Sequence, residues 1–156
     1  METCDKSCYD KGSKIVLQLW HVGRVSSSKV NGLQPLAPSP IIAKDTKVYV
    51  FDTPKSKDAT MILVEEPKEM TQSDIDNVIE EFKIAAKNAI EAGFDAVEIH
   101  SANGYLLDQF LRSNSNKRED TYGGSKENRT KLLIDITKAV IGEIGANVKR
   151  KGKMYQ

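Results

Sequence analysis

Ala92-Gly93-Phe94-Asp95-Ala96-Val97-Glu98-Ile99-His100 is the stretch on which the fold turns. Gly93 closes a segment with helical periodicity, and a β-rich run, Ala96 to His100, begins three residues after it. A helix that feeds a strand across so short a connection is half of a repeating βα unit. Upstream, the spacing predicts a helix over Thr71 to Ala92. Ile75, Val78, Ile79, Phe82, Ala86, Ala89 and Ile90 form one apolar stripe on it. Thr71 or Ser73 can cap its start, with Asp74 placed to bond back to Thr71.

Further upstream, Lys14 to His21 is a compact apolar run after Gly12 and predicts a buried strand. Val22 to Ile42 reads as loop, punctuated by Gly23, Asn31-Gly32, Pro35, Pro38 and Pro40. Lys47 to Phe51 and Thr60 to Val64 are two short β-rich pieces around Asp52-Thr53-Pro54, which predicts a surface hairpin. Downstream of the deciding stretch, Leu106 to Leu111 predicts a short helix and Arg112 to Gly124 a polar loop. Ser125 can cap a last helix to about Ile144, with Leu132, Leu133, Ile136, Ala139, Val140 and Ile144 inward. Strand, excursion, helix, strand, helix is the order of an α/β protein with a parallel sheet covered by helices.

Side chains alternate along a strand, so the two predicted strands can be faced. With Ile15, Leu17, Leu19, Val97 and Ile99 toward the helices, Gln18, Trp20, Glu98 and His100 share the opposite face. Polar residues at the C-terminal ends of adjacent parallel strands are where barrel and doubly wound enzymes place their chemistry.

Composition narrows the function classes. The chain has 156 residues, 39% hydrophobic and 29% charged, with a formal net charge of +1. Bases and acids are interspersed, which argues against a nucleic-acid surface or a polybasic membrane patch. No apolar run approaches the length of a membrane span, and Met1 to Asp10 carries no apolar signal core. The cytoplasm is the expected compartment, and Cys4 and Cys8 are then expected to be reduced thiols. Neither His21 nor His100 completes a metal-ligand spacing with them, so no metal is expected.

Three stretches together carry a resemblance: Leu17-Gln18-Leu19-Trp20-His21-Val22-Gly23-Arg24, Ala37-Pro38-Ser39, and the block from Ala92 to Arg129. That block includes His100-Ser101-Ala102-Asn103-Gly104-Tyr105-Leu106-Leu107-Asp108-Gln109-Phe110-Leu111. It continues with Asn116, Arg118, Asp120, Tyr122-Gly123-Gly124-Ser125 and Glu127-Asn128-Arg129. The pattern, from about Lys11 to Asn147, resembles the old yellow enzyme family of NADPH dehydrogenases and ene-reductases. The resemblance implies a TIM (β/α)8 barrel with FMN at its C-terminal mouth. It implies NADPH or NADH as hydride donor, and an activated alkene (an enone, a maleimide or a nitro compound) as acceptor.

Position by position, Gln18 matches the glutamine that hydrogen-bonds the flavin ring, and Trp20 the tryptophan lining the substrate pocket. His100 and Asn103 match the pair that binds the substrate's carbonyl or nitro oxygen, where two donors stabilise developing negative charge. Tyr105 matches the residue that gives a proton to the α-carbon; a phenol is protonated at neutral pH and can serve as general acid. Tyr122-Gly123-Gly124 and Asn128-Arg129 read as structural, the glycines supplying unusual backbone angles. Arg24 reads as support for its loop. A hydrolase using His21 or His100 with an acidic partner is a remote alternative.

A closed barrel takes about 250 residues, and the chain has 156. On the family pattern residues 11–147 correspond to a central segment, about the third and fourth βα units, with a surface hairpin excursion. Residues 1–10 lack family character, and Lys149 to Gln156 is a basic run where a fifth, apolar strand is expected. The phosphate-gripping loops of later strands fall outside this segment, so impaired activity is expected. The alternative is a non-catalytic fragment or pseudogene product that self-associates or binds a complementing chain.

Overall fold

A computed structural model of the chain describes residues 11–51 and 58–146. The expectations for Cys4, Cys8, the N-terminal ten residues, the Asp52-Thr53-Pro54 turn and the basic tail lie outside the described residues. The elements in order are β1 (Val16–Leu19), α1 (Ser28–Asn31), β2 (Leu36–Ala37), β3 (Lys47–Phe51), β4 (Ala59–Leu63), β5 (Lys68–Glu69), α2 (Gln72–Glu91), β6 (Ala96–Ile99), α3 (Leu106–Leu111) and α4 (Lys126–Ile144). They fall into two compact units. One holds the chain up to Trp20, Asn77–His100 and the residues from Asp135; the other holds His21–Asp76 and Ser101–Ile134.

In the first unit β1 and β6 pair in parallel, Val16 opposite Ala96 through Leu19 opposite Ile99. Pairing continues past both ends: Asp95 N–H donates to Ile15 O at 2.9 Å and His100 N–H to Leu19 O at 3.0 Å. The Asp95 carboxylate also accepts the Ile15 N–H at 2.9 Å. Leu19 is buried, as are Val78, Phe82, Ala86 and Ala89 of α2 and Ile136 and Val140 of α4. The predicted stripe is therefore the face that α2 buries. The expectation of a buried β1 needs correction. Only Leu19 of its four residues is buried, and Val16 and Gln18 are exposed. Among the described residues the sheet has two strands, so one face of β1 lacks the cover that a continuous apolar run implies.

Both ends of α2 follow from local chemistry. Thr71 N–H donates to Asp74 Oδ2 at 2.8 Å, and Asp74 N–H donates to Thr71 Oγ1 at 3.2 Å, a reciprocal capping box. At the other end Phe94 N–H reaches Ala89 O at 3.0 Å and Gly93 N–H reaches Ile90 O at 3.1 Å. Gly93 has φ 100, the left-handed residue of a Schellman cap. Hydrogen bonds from Thr71 hold the Asp74 carboxyl below the usual carboxylate range. A lowered folded-state pKa gives stability that is present above the unfolded value and lost as pH falls through the folded one. Asp74→Ala is thus expected to cost about 1 kcal/mol at neutral pH. In thermal melts the gap to the parent chain should close below about pH 4. An unchanged gap in acid would assign the loss to something other than the charged cap.

The second unit holds smaller elements. β3 and β4 form the predicted hairpin, antiparallel, with Tyr49 opposite Met61. The segment Val22 to Ile42, expected to be loop, contains α1 and β2. Ser27 caps α1, Gly32 closes it in the left-handed region, and Glu65 Oε1 accepts the Ser28 N–H at 2.9 Å. β2 pairs in parallel with β5, Leu36 opposite Lys68 and Ala37 opposite Glu69. Ile75, Leu106, Leu107, Phe110, Tyr122 and Leu132 are buried here. The start of α4 is capped as expected, with Asn128 N–H donating to Ser125 Oγ at 3.1 Å.

Candidate functional site

The period-two reading of the strands holds in the first unit. Gln18 stands opposite Glu98 in the register, and Gln18 Nε2 donates to Glu98 Oε1 at 2.9 Å. Beyond the strand ends, the Trp20 and His100 rings meet edge to face with centroids 6.0 Å apart. Three predicted site residues, Gln18, Trp20 and His100, therefore share one face with Glu98. Trp20 is 52% exposed, so a large aromatic surface stands open on that face. Open apolar surface beside polar groups suits a flat ring system.

The donor set fits the edge of a flavin ring. After the bond to Glu98, the Gln18 carboxamide retains a second N–H and its oxygen, so it can donate and accept at once. An open cavity of about 730 Å³ elsewhere in this unit is lined by Val97, Ile99, Val140, Ile141 and Ile144, with Asp95 and Thr137. It includes none of the predicted site residues, and its walls are mainly aliphatic, so it does not share that chemistry.

Asn103 and Tyr105 belong to the second unit. Asn103 has φ 60, a left-handed conformation that is uncommon outside glycine, and Gly104 follows at φ 79. Two left-handed residues in succession turn the chain sharply, and Tyr105 comes out of the turn as the N-cap residue of α3. Its side chain makes no cap hydrogen bond. Asp108, one turn on, accepts the Gly104 N–H at 2.9 Å. Leu106 N–H, one of the donors a helix start leaves without an intrahelical partner, reaches His21 O at 3.1 Å. Asn103 is exposed and Tyr105 half-buried. Backbone strain held by specific neighbours is typical of positions where side-chain direction matters.

Two residues that sequence reasoning passed over stand out. Gln109 is 1% exposed and its carboxamide reaches both the Val22–Arg24 turn and Gly104. Arg118 is buried, with its guanidinium on the carbonyls of Pro38 and Met70. Glutamine inside a helix and arginine inside a polar loop both read as solvent-facing, so nothing in the local pattern marked either as buried, although both stand in the block that carries the resemblance. Arg24 supports its loop as expected, donating from Nη1 to Ile41 O at 2.9 Å, and burial lowers its pKa. The glycine reading needs one adjustment. Gly124 does take a left-handed angle, φ 77, but Gly123 is required for space. A Cβ there would lie 2.1 Å from Arg118 O.

Known proteins resemble this chain in sequence and in fold. The chain matches the NADH:flavin oxidoreductase / NADH oxidase family over residues 4–150, wider at both ends than the motif-bearing stretch from Lys11 to Asn147. 12-oxophytodienoate reductase 1 of Oryza sativa subsp. japonica is 43% identical over 137 residues, 88% of this chain and 33% of the relative. Morphinone reductase in complex with tetrahydroNAD superposes with a TM-score of 0.84 at 38% identity, covering 90% of this chain and 39% of that one. The old yellow enzyme homologue from Zymomonas mobilis gives 0.82 at 39% identity, covering 90% of this chain and 37% of that one. The chain spans about a third of the length of the curated relatives it matches. No helix among the described residues is long and apolar enough to cross a membrane. With the match running over residues 4–150, the chain belongs to the NADH:flavin oxidoreductase / NADH oxidase family, FMN-dependent oxidoreductases that include the old yellow enzymes.

Proposed function

We propose that this chain carries the substrate-polarising and proton-donating part of a cytoplasmic ene-reductase, corresponding to about the third and fourth βα units of the barrel. The observation that carries the reading is the His100-Ser101-Ala102-Asn103-Gly104-Tyr105 string. It leaves a strand end and passes through a strained left-handed turn to a helix start. When bound, FMN would supply the redox chemistry, accepting hydride from NADPH or NADH and passing it to an activated alkene. Gln18 would hold the ring edge and Trp20 would present an aromatic wall to the alkene. His100 and Asn103, three apart in the chain, would donate hydrogen bonds to the carbonyl or nitro oxygen and withdraw electron density from the double bond. Tyr105 would deliver the proton to the α-carbon. Enones, maleimides and nitroalkenes fit, because each offers an oxygen for the pair to grip.

The test is flavin retention. The purified chain is mixed with FMN, desalted, and its absorbance recorded from about 350 to 500 nm, where flavins absorb. Retained, perturbed flavin absorbance that shifts on adding a phenol supports the reading. In that protein His100→Ala should weaken phenol binding on the order of tenfold, the effect of losing one donor to a charged oxygen. A colourless product means that the chain does not assemble a flavin site by itself. That outcome favours the second reading, a non-catalytic piece completed by another chain.

A further inference from the structure

We propose that Gln109 and Asp108 are positioning residues that set the direction of Asn103 and Tyr105 by clamping the glycine between them. The inference rests on the roles just proposed for those two residues. Gly104 has its two backbone polar groups held by adjacent side chains of α3. Its N–H donates to Asp108 Oδ2 at 2.9 Å, and its carbonyl accepts from Gln109 Nε2 at 2.8 Å. Both side chains belong to buried residues, 8% and 1% exposed. A glycine alone would let this turn sample several conformations, since it populates either sign of φ with little preference. Gripped at both polar groups, it has one, and the residues on either side inherit a fixed orientation.

The carboxamide does more than hold Gly104. Nε2 also donates to Val22 O at 3.3 Å, and Oε1 accepts the Arg24 N–H at 3.2 Å. Two carbonyls lie on one side of the group and one N–H on the other, so only the amide in this orientation satisfies all three. Gly23 makes room for it: a Cβ at that position would lie 2.3 Å from Gln109 Oε1. The turn that carries Asn103 is thereby tied to the turn after the first strand. The clamp also replaces the usual helix cap. Asp108 reaches back from the first turn of α3, so Tyr105 occupies the N-cap position without its hydroxyl being the cap.

The experiment uses the full chain. Amide hydrogen exchange resolved by NMR should show Gly104 and Arg24 N–H protected, although both belong to turns and Gly104 is exposed. Exchange of these two amides at open-loop rates would overturn the proposal without any variant. Gln109→Glu keeps the shape and sets a carboxylate oxygen against two carbonyls; Gln109→Met keeps the length and removes every bond. In Gln109→Met exchange of the Arg24 N–H, which loses its acceptor, should rise on the order of tenfold, the worth of a neutral hydrogen bond, while in whichever variant folds the Gly104 N–H, still held by Asp108, should change less. The Asn103 side-chain amide and Tyr105 ring signals should collapse toward averaged positions, and amides of α4 should be unaffected. Unmoved Asn103 and Tyr105 signals would overturn the positioning role. In flavin-loaded protein, phenol affinity should fall about tenfold with flavin retention unchanged. Failure of the parent chain to bind flavin or phenol would count against the proposed function alone, and the exchange and side-chain signals would still decide the clamp.

Discussion

Arg118→Ala is expected to lower stability by about 2–5 kcal/mol, the cost of leaving two buried backbone acceptors without their donor. The Arg118 side chain is only 5% exposed, and its guanidinium joins three separate pieces of the second unit. Nη1 donates to Met70 O at 2.7 Å, just ahead of α2, and to Pro38 O at 3.2 Å in the loop after β2. Nε and Nη2 meet the Asp120 carboxylate as a fork, with Nε at 3.0 Å from Oδ2. Pro38 and Met70 are themselves fully buried, so removing the guanidinium strands two carbonyls without water. Each stranded acceptor costs about 1–3 kcal/mol. Lysine in its place offers a single ammonium instead of a planar fork and should recover only part of the loss.

The same network can be struck from another side. Gly123→Ala would place a Cβ against the Arg118 carbonyl, and should destabilise without touching a single charge. Asp120 responds to acid: its bond with Arg118 holds the carboxyl below the usual range. Its contribution is therefore present above the unfolded value and lost as pH falls through the folded one, below about pH 4. Asp120 is nearly half exposed at its side chain, so solvent screening keeps that acid effect well below the loss expected for Arg118→Ala. Thermal melts of Arg118→Ala, Arg118→Lys and Gly123→Ala at neutral pH check the set. A melting temperature for Arg118→Ala within about 2 °C of the parent, worth about 1 kcal/mol or less, would show that the loops hold without the arginine.

The network explains why so much of the family pattern lies away from the proposed chemistry. Asn116 donates from Nδ2 to Phe110 O and Tyr122 O, both at 2.8 Å, and Ser39 Oγ accepts the Lys117 N–H at 2.9 Å. Pro38-Ser39, Asn116, Arg118, Asp120 and Tyr122 are thus parts of one latch. Sequence reading could recover α2, α3, α4 and the hairpin because their signals are local: a 3.6-residue stripe, a capping box, a stop glycine, two β-rich runs. It could also face Gln18, Trp20, Glu98 and His100 together, since alternation fixes strand faces. It could not see β2 and β5, each two residues long and paired across about thirty residues of chain. No local pattern distinguishes such a bridge from loop. Nor could it see that Arg118 and Gln109 point inward, because the partners that make their burial tolerable are mostly backbone carbonyls, which look alike at every position.

Tyr105→Phe is expected to leave flavin reduction by NADPH or NADH unchanged and to slow the alkene half-reaction by about 10²–10⁴-fold, the usual worth of a positioned general acid. The substitution removes one oxygen and keeps the ring, so packing at the half-buried N-cap of α3 should survive. The main-chain anchors of the residue do not involve the hydroxyl: Gln109 N–H donates to Tyr105 O at 2.8 Å and Tyr105 N–H to Ala102 O at 3.3 Å. A loss confined to the alkene half-reaction, with a solvent deuterium isotope effect that disappears in the variant, would place the proton on the phenol. Equal slowing of both half-reactions would mean that the hydroxyl orients the ligands and that water or another group supplies the proton. Unchanged kinetics in a flavin-loaded chain would remove Tyr105 from the mechanism. The left-handed Asn103-Gly104 turn would then serve Asn103 alone, and the proton would have to come from water or from another group.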